Sequence, residues 1–282
     1  MILKIFLEII ISLITGIVSG VIVALFGIKK FKEYIESREK RKILGPLINF
    51  WTSDVTKSKI FSILYGIEIA KKGSIAPVIS YAKAIGLSEI RRTIKEVNGA
   101  DTIIYERPLN ENQPFLKSDF DENVIILGGE SSIKKFGDFC RNLRIPYYHY
   151  KIQEGNRNLI GISNDKLTDE YKPIIDFDSG LKRDVGSVMR IINPNNKKLI
   201  ILFNGSYAAG LLGSILFTTN RDLFFETGFD SSSMAQQIVV EIPNISNNII
   251  SHTHSIKNIS QWTKFSFNEE NYSRAIDISC SQ

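Results

Sequence analysis

The feature that most constrains this chain is the run Ile5 to Ile28, IFLEIIISLITGIVSGVIVALFGI, 24 residues with a single charge at Glu8. As an α-helix it reaches about 36 Å, enough to cross a bilayer core with some tilt. A secretory signal peptide would have a shorter apolar region, positive charge in front and a small-residue cleavage site behind, and none of these is present. Lys4 alone precedes the run, whereas Lys29, Lys30, Lys32, Arg38, Lys40, Arg41 and Lys42 follow it. The positive-inside rule therefore predicts a single-pass protein with its N-terminus outside and its remaining residues in the cytoplasm.

The span has faces. Glu8, Ser12, Thr15 and Ser19 share one stripe at helical spacing, and Gly16 and Gly20 lie on its flank with Gly27. Gly16-x-x-x-Gly20 lets helices approach closely, and a polar stripe ending in a carboxylate is costly against lipid unless it meets partner helices or water. The pattern fits a homo-oligomer that turns Glu8 and the hydroxyls toward a central path. It also fits a lone anchor whose Glu8 reaches the outer interface.

The basic stretch that follows, KKFKEYIESREKRKIL, interleaves Glu33, Glu36 and Glu39 with its cations and reads as a charged stalk helix ended by Gly45-Pro46. Three regions result: a transmembrane helix over 1–28, a juxtamembrane helix and linker over 29–57, and a cytoplasmic domain over 58–282. The net charge of +5 and pI near 9.0 include this juxtamembrane cluster, which topology and anionic lipid explain, so they are weak grounds for a nucleic-acid partner. Cys140 and Cys280 match no metal or redox spacing.

In the third region, apolar β-branched runs predict strands over 60–69, 101–106, 123–127, 147–152, 159–162, 185–192, 199–203, 236–242 and 263–267. Helices are predicted over 76–84, 87–97 (capped by Ser88), 133–143 and 208–217, with a polar loop over 107–122. The alternation predicts an α/β fold, a Rossmann-like domain with a mostly parallel sheet. Asn193-Pro194-Asn195-Asn196 predicts a hairpin between two of its strands.

Two places repeat one form, strand then glycine and serine then helix. Val124–Leu127 runs into Gly128-Gly129-Glu130-Ser131-Ser132, and Leu199–Phe203 into Asn204-Gly205-Ser206-Tyr207. Such turns hold an anion on the N–H groups of a helix N-terminus, although glycines also serve turns alone and neither sequence is a dinucleotide fingerprint or a Walker A loop. In one parallel sheet both turns would open at the carboxyl edge and form one crevice. The predicted ligand set is Gly128, Gly129, Ser131, Asn204, Gly205 and Ser206, with Arg190 and Arg183 compensating phosphate charge. Arg190 stands in an apolar strand and requires an anion, either a carboxylate of the protein or the ligand.

No catalytic residue and no metal or other cofactor is assigned. Ser206 lacks the pattern of a nucleophile elbow, Asp176 and Asp178 have no further clustered ligand, and His252-x-His254 lacks a third. His149 lies among tyrosines and reads as structural.

One membrane helix, a basic stalk and a Rossmann-like domain with these turns resemble the small membrane-anchored effectors of bacterial antiphage defence. These include the membrane CARF effectors of type III CRISPR, transmembrane CBASS effectors and the Hailong effector. The resemblance implies an oligomeric effector of the bacterial inner membrane that disrupts or depolarises it under control of a nucleotide or short oligonucleotide. A nucleotidyltransferase would supply that ligand. The alternative is a membrane-tethered enzyme acting on a nucleotide or nucleoside.

Overall fold

The computed structural model describes residues 44–52, 58–69, 77–129, 133–154, 157–176, 180–224, 227–246, 249–250 and 256–281, together with Lys32, Ile35 and Glu39. The expected span Ile5–Ile28, with Glu8, Ser12, Thr15, Gly16, Ser19 and Gly20, lies outside the described residues, as do Ser131, Asp178 and the His252–His254 pair. Among the described residues no helix is long and apolar enough to cross a membrane. The chain divides into two units, Met1–Gly45 and Pro46–Gln282. At the end of the first, Gly45 takes a φ of 49°, the left-handed turn in which helices end.

The second unit begins ahead of the expected start at residue 58. Its helices are α1 (Pro46–Trp51), α2 (Tyr81–Asn98), α3 (Lys134–Leu143), α4 (Ala208–Thr219), α5 (Arg221–Phe224) and α6 (Glu269–Cys280). Its longer strands are β1 (Ile60–Gly66), β4 (Ile103–Leu109), β5 (Asn123–Leu127), β6 (Tyr147–Glu154), β7 (Arg157–Asn164), β10 (Gly180–Ile192), β11 (Leu199–Gly205) and β12 (Ala235–Ile242). Short strands fill the numbering: β2 (Glu68–Ile69), β3 (Pro77–Val78), β8 (Glu170–Tyr171), β9 (Ile174–Asp176), β13 (Ile245–Ser246), β14 (Ile249–Ile250), β15 (Lys257–Asn258) and β16 (Thr263–Lys264).

The main sheet runs β15-β12-β10-β11-β5-β1-β4, with β16 also on β12 and β9 on β10. The four strands β11, β5, β1 and β4 are mutually parallel, whereas β10 is antiparallel to both β11 and β12. The fold is therefore α/β with a mixed sheet. β5 is buried along its whole length, the condition of a strand covered on both faces. On one face, Val124, Ile126, Ile200 and Leu202 pack against Phe136 and Phe139 of α3 and Tyr272 and Ala275 of α6. The alternate residues face the other layer, where Phe203 meets Trp51 of α1 at 6.0 Å and Phe50 joins Phe224, Phe229 and Trp262.

Several expectations are corrected. Residues 81–98 form one helix, not two, and its cap is Ser80, whose hydroxyl accepts from Lys83 N, rather than Ser88. Gly86 does not break the helix, because it is a contact point: a Cβ there would come within 2.5 Å of Ile215 Cδ1 on α4. Pro108 lies in a strand, not a loop, which is tolerated because β4 ends the sheet order and needs no donor on its outer side. The helix α6 has no counterpart in the sequence reading, although Asn268 caps it by accepting from Asn271 N at 2.7 Å.

Candidate functional site

Because β5 and β11 are parallel neighbours, with Val124 opposite Ile200 and Leu127 opposite Phe203, the two glycine turns open side by side. Gly128 N donates to Phe203 O at 3.0 Å and ties them together, and Gly128 has a φ of 128°, which excludes other residues without strain. The cavity between the turns has a volume of about 230 Å³ and is bordered by Gly128, Gly129, Gly205, Ser206, Tyr207 and Lys83. It lies at the carboxyl ends of β5 and β11. β1 beside them leads through α2 to β4 on one side, while the chain after β5 returns to the sheet on the other. The reversal, where open α/β sheets bind ligands, falls between β1 and β5, and Lys83 borders the crevice from that side.

Lys83 was not foreseen. It sits in the first turn of α2, is only 5% exposed, and donates from Nζ to Gly66 O at the end of β1 at 2.9 Å. In the sequence it is one lysine among many. The sheet turns it into an ammonium at the mouth of the crevice.

The second turn differs from the first in being already occupied by the protein. Asp184, fully buried on β10, reaches the N-terminus of α4: Gly210 N donates to its Oδ2 at 2.5 Å and Val185 N to its Oδ1 at 2.8 Å, with the Tyr207 backbone adding a third bond. Burial pushes this carboxyl up to about 7, against the pull of those N–H groups. The glycines here fit backbone to backbone. A Cβ on Gly205 would fall on Leu211 N, and one on Gly210 on Val185 O. Ser206 borders the crevice, its N donates to Val185 O at 2.9 Å, and its buried Oγ has no hydrogen-bond partner. An anion in the crevice would thus meet a neutralised α4 terminus on one side, and the Gly128–Gly129 turn with Lys83 on the other.

Asn204 faces away from the crevice. Its Oδ1 accepts from Ser187 Oγ at 2.7 Å, that oxygen accepts from Gln237 Nε2 at 3.2 Å, and Gln237 clamps the Tyr147 backbone through Oε1 and Nε2 at 2.9 and 3.1 Å. The Asn204 side chain also hydrogen-bonds the imidazole of His149. This buried polar chain fixes the start of β6 on the sheet and brings His149 against Gly129, where a Cβ would stand 2.8 Å from His149 Cε1. Burial pulls His149 down to about 4, so the ring is neutral near pH 7, and its Nε2 is shut from solvent without a hydrogen-bond partner.

Arg190 does not border the crevice. Its guanidinium lies over the Phe229 ring at 5.4 Å and donates to Phe50 O, Asn49 O and Thr52 O at 3.1, 3.2 and 3.1 Å, so it caps the C-terminal end of α1. Beside it Trp51 Nε1 donates to Thr218 O in the last turn of α4 at 2.7 Å. Arg183 pairs with Glu241 at 3.1 Å. Among the described residues no three His, Cys, Asp or Glu side chains gather to hold a metal. Comparison with family models, curated proteins and solved structures finds no match to this chain.

Proposed function

We propose that the chain is a ligand-controlled membrane effector of antiphage defence. Pro46–Gln282 would bind a phosphate-bearing, nucleotide-derived signal in the crevice, and Ile5–Ile28 would associate in the bacterial inner membrane and depolarise it. The observation that carries this reading is the crevice itself, a glycine turn with a left-handed residue beside a buried ammonium at the reversal point of the sheet. The apolar span and the resemblance in architecture supply the membrane half, and a nucleotidyltransferase would supply the ligand.

A path of contacts from the crevice to α1 supports the reading. α4 begins at the crevice wall and carries in its last turn Thr218, whose carbonyl holds Trp51 of α1, the first element of the Pro46–Gln282 unit. A ligand acts along it only by binding one seating of α4 better than another.

The test expresses the full chain in bacterial cells and follows membrane potential with a voltage-sensitive dye, with and without synthetases of cyclic and linear oligonucleotides. Depolarisation should depend on the nucleotide and disappear in Glu8→Gln and in Gly16→Leu. It should lose its nucleotide dependence in Lys83→Gln. A steady potential under every condition would sink the effector reading, and nucleotide turnover in the same cells would favour the tethered enzyme.

A further inference from the structure

A second cavity is bordered by His149, the residue packed on Gly129 of the crevice. Arg141 in the last turn of α3, Arg144 at its end, Tyr148, His149 and Asp165 border a volume of about 590 Å³. Arginines at a helix C-terminus complement its carbonyls without any ligand. Two further observations go beyond that account. The His149 ring borders this cavity and also packs on Gly129 of the crevice, so one imidazole touches the lining of both spaces, and its buried Nε2 has no hydrogen-bond partner. The crevice alone, at about 230 Å³, is also smaller than the roughly 300 Å³ at which ligand pockets begin, so a nucleotide seated there extends past its rim.

We infer that the crevice and the arginine cavity are two halves of one elongated site, and that its ligand carries two separated anionic groups. One group sits beside Lys83 and the Gly128–Gly129 turn, and the other meets Arg144 together with Arg141, which it shares with Asp138 at 2.9 Å. The inference rests on the crevice being a nucleotide site and narrows its ligand. A nucleoside 5′-monophosphate has only one such group, but a 5′-phosphorylated dinucleotide has two, with a ribose and base between them to lie along the His149 and Tyr148 rings. Asp165 on the same wall suits a donor, such as a ribose hydroxyl or an exocyclic amine. Tyr148 is pushed up to about 12, chiefly by burial, and remains a neutral donor toward phosphate.

The test titrates the full-length chain in detergent with AMP and with 5′-phosphorylated diadenylate, pApA, by calorimetry. pApA should bind about tenfold more tightly than AMP, the scale of one added charge-assisted contact. The double variant Arg141→Gln with Arg144→Asn should abolish that advantage and leave AMP binding unchanged. Asparagine is chosen because residue 144 has a φ of 54°, which asparagine tolerates. Equal affinities for pApA and AMP in the wild type, or an advantage that survives in the variant, would overturn the two-part site and leave the crevice reading standing. Binding of neither nucleotide would overturn both.

Discussion

The turns after β5 and β11 look alike in sequence and do different work. After β11, Gly205 and Gly210 let β10, β11 and α4 close on one another, and Asp184 takes the helix terminus that a ligand would otherwise use. After β5, Gly128 needs its glycine for a φ of 128°, but the neighbour of Gly129 is only the edge of an imidazole ring. A strand-glycine-serine-helix pattern therefore marks a place where backbone N–H groups converge, not which acceptor fills it. The acceptor comes from the next strand in space, and β10 supplies a carboxylate to one turn only.

This contrast can be broken in three ways. The largest effect is expected from Gly205→Ala, whose methyl would meet Leu211 backbone and cost about 3 kcal/mol or more. Urea denaturation read by Trp51 and Trp262, the chain's two tryptophans, both in one aromatic cluster around Phe50, measures it, and a near-neutral result would mean that the β11 turn is not a packing joint. Asp184→Asn comes next and shows itself in pH dependence. The folded carboxyl keeps its proton up to about pH 7, while the unfolded one releases it near pH 3.8. Between those values the folded state binds more protons, so wild-type stability falls as pH rises, by up to about 1.4 kcal/mol per unit, and levels off above about pH 7. The Asn variant should lack that slope, and parallel curves for the two proteins would remove Asp184 from the account. Smallest is Gly129→Ala. The His149 ring can shift, so stability should change by less than about 1 kcal/mol while nucleotide affinity falls. Loss of stability as large as in Gly205→Ala would erase the distinction between the turns.

What the sequence disclosed follows from how far apart the determinants lie. Strands such as Val124–Leu127 and Leu199–Phe203 declare themselves through short β-branched and apolar runs, and their parallel pairing brought the two turns together as expected. Local errors came from residues with a tertiary meaning: Gly86, in the gap between the two expected helices, is a helix contact, and Pro108, in the expected loop, is an edge-strand residue. The cap Asn268 was readable, and the acidic pair after it is the ordinary start of a helix. By contrast, Asp184 meets Gly210 across 26 positions, and Arg190 meets Phe50 across 140. No local pattern encodes such pairs, which arise only when antiparallel β10 is laid against β11. The reading therefore gave Arg190 a ligand that its helix-capping role does not require.

The grip of Trp51 on Thr218 has a consequence for how any signal would be felt. α4 has 12 residues, about 18 Å of helix, and nearly all its side chains are buried, with Gly213 fitted against Ile242. A strut seated that closely has no clearance for small displacements, since close-packed interfaces switch between discrete seatings and do not deform continuously. A push on its crevice end would reach α1 as a change of seating. Each molecule should therefore show Trp51 in one of two seatings, with no intermediate, and a titration should change the proportions of the two, not the position of either.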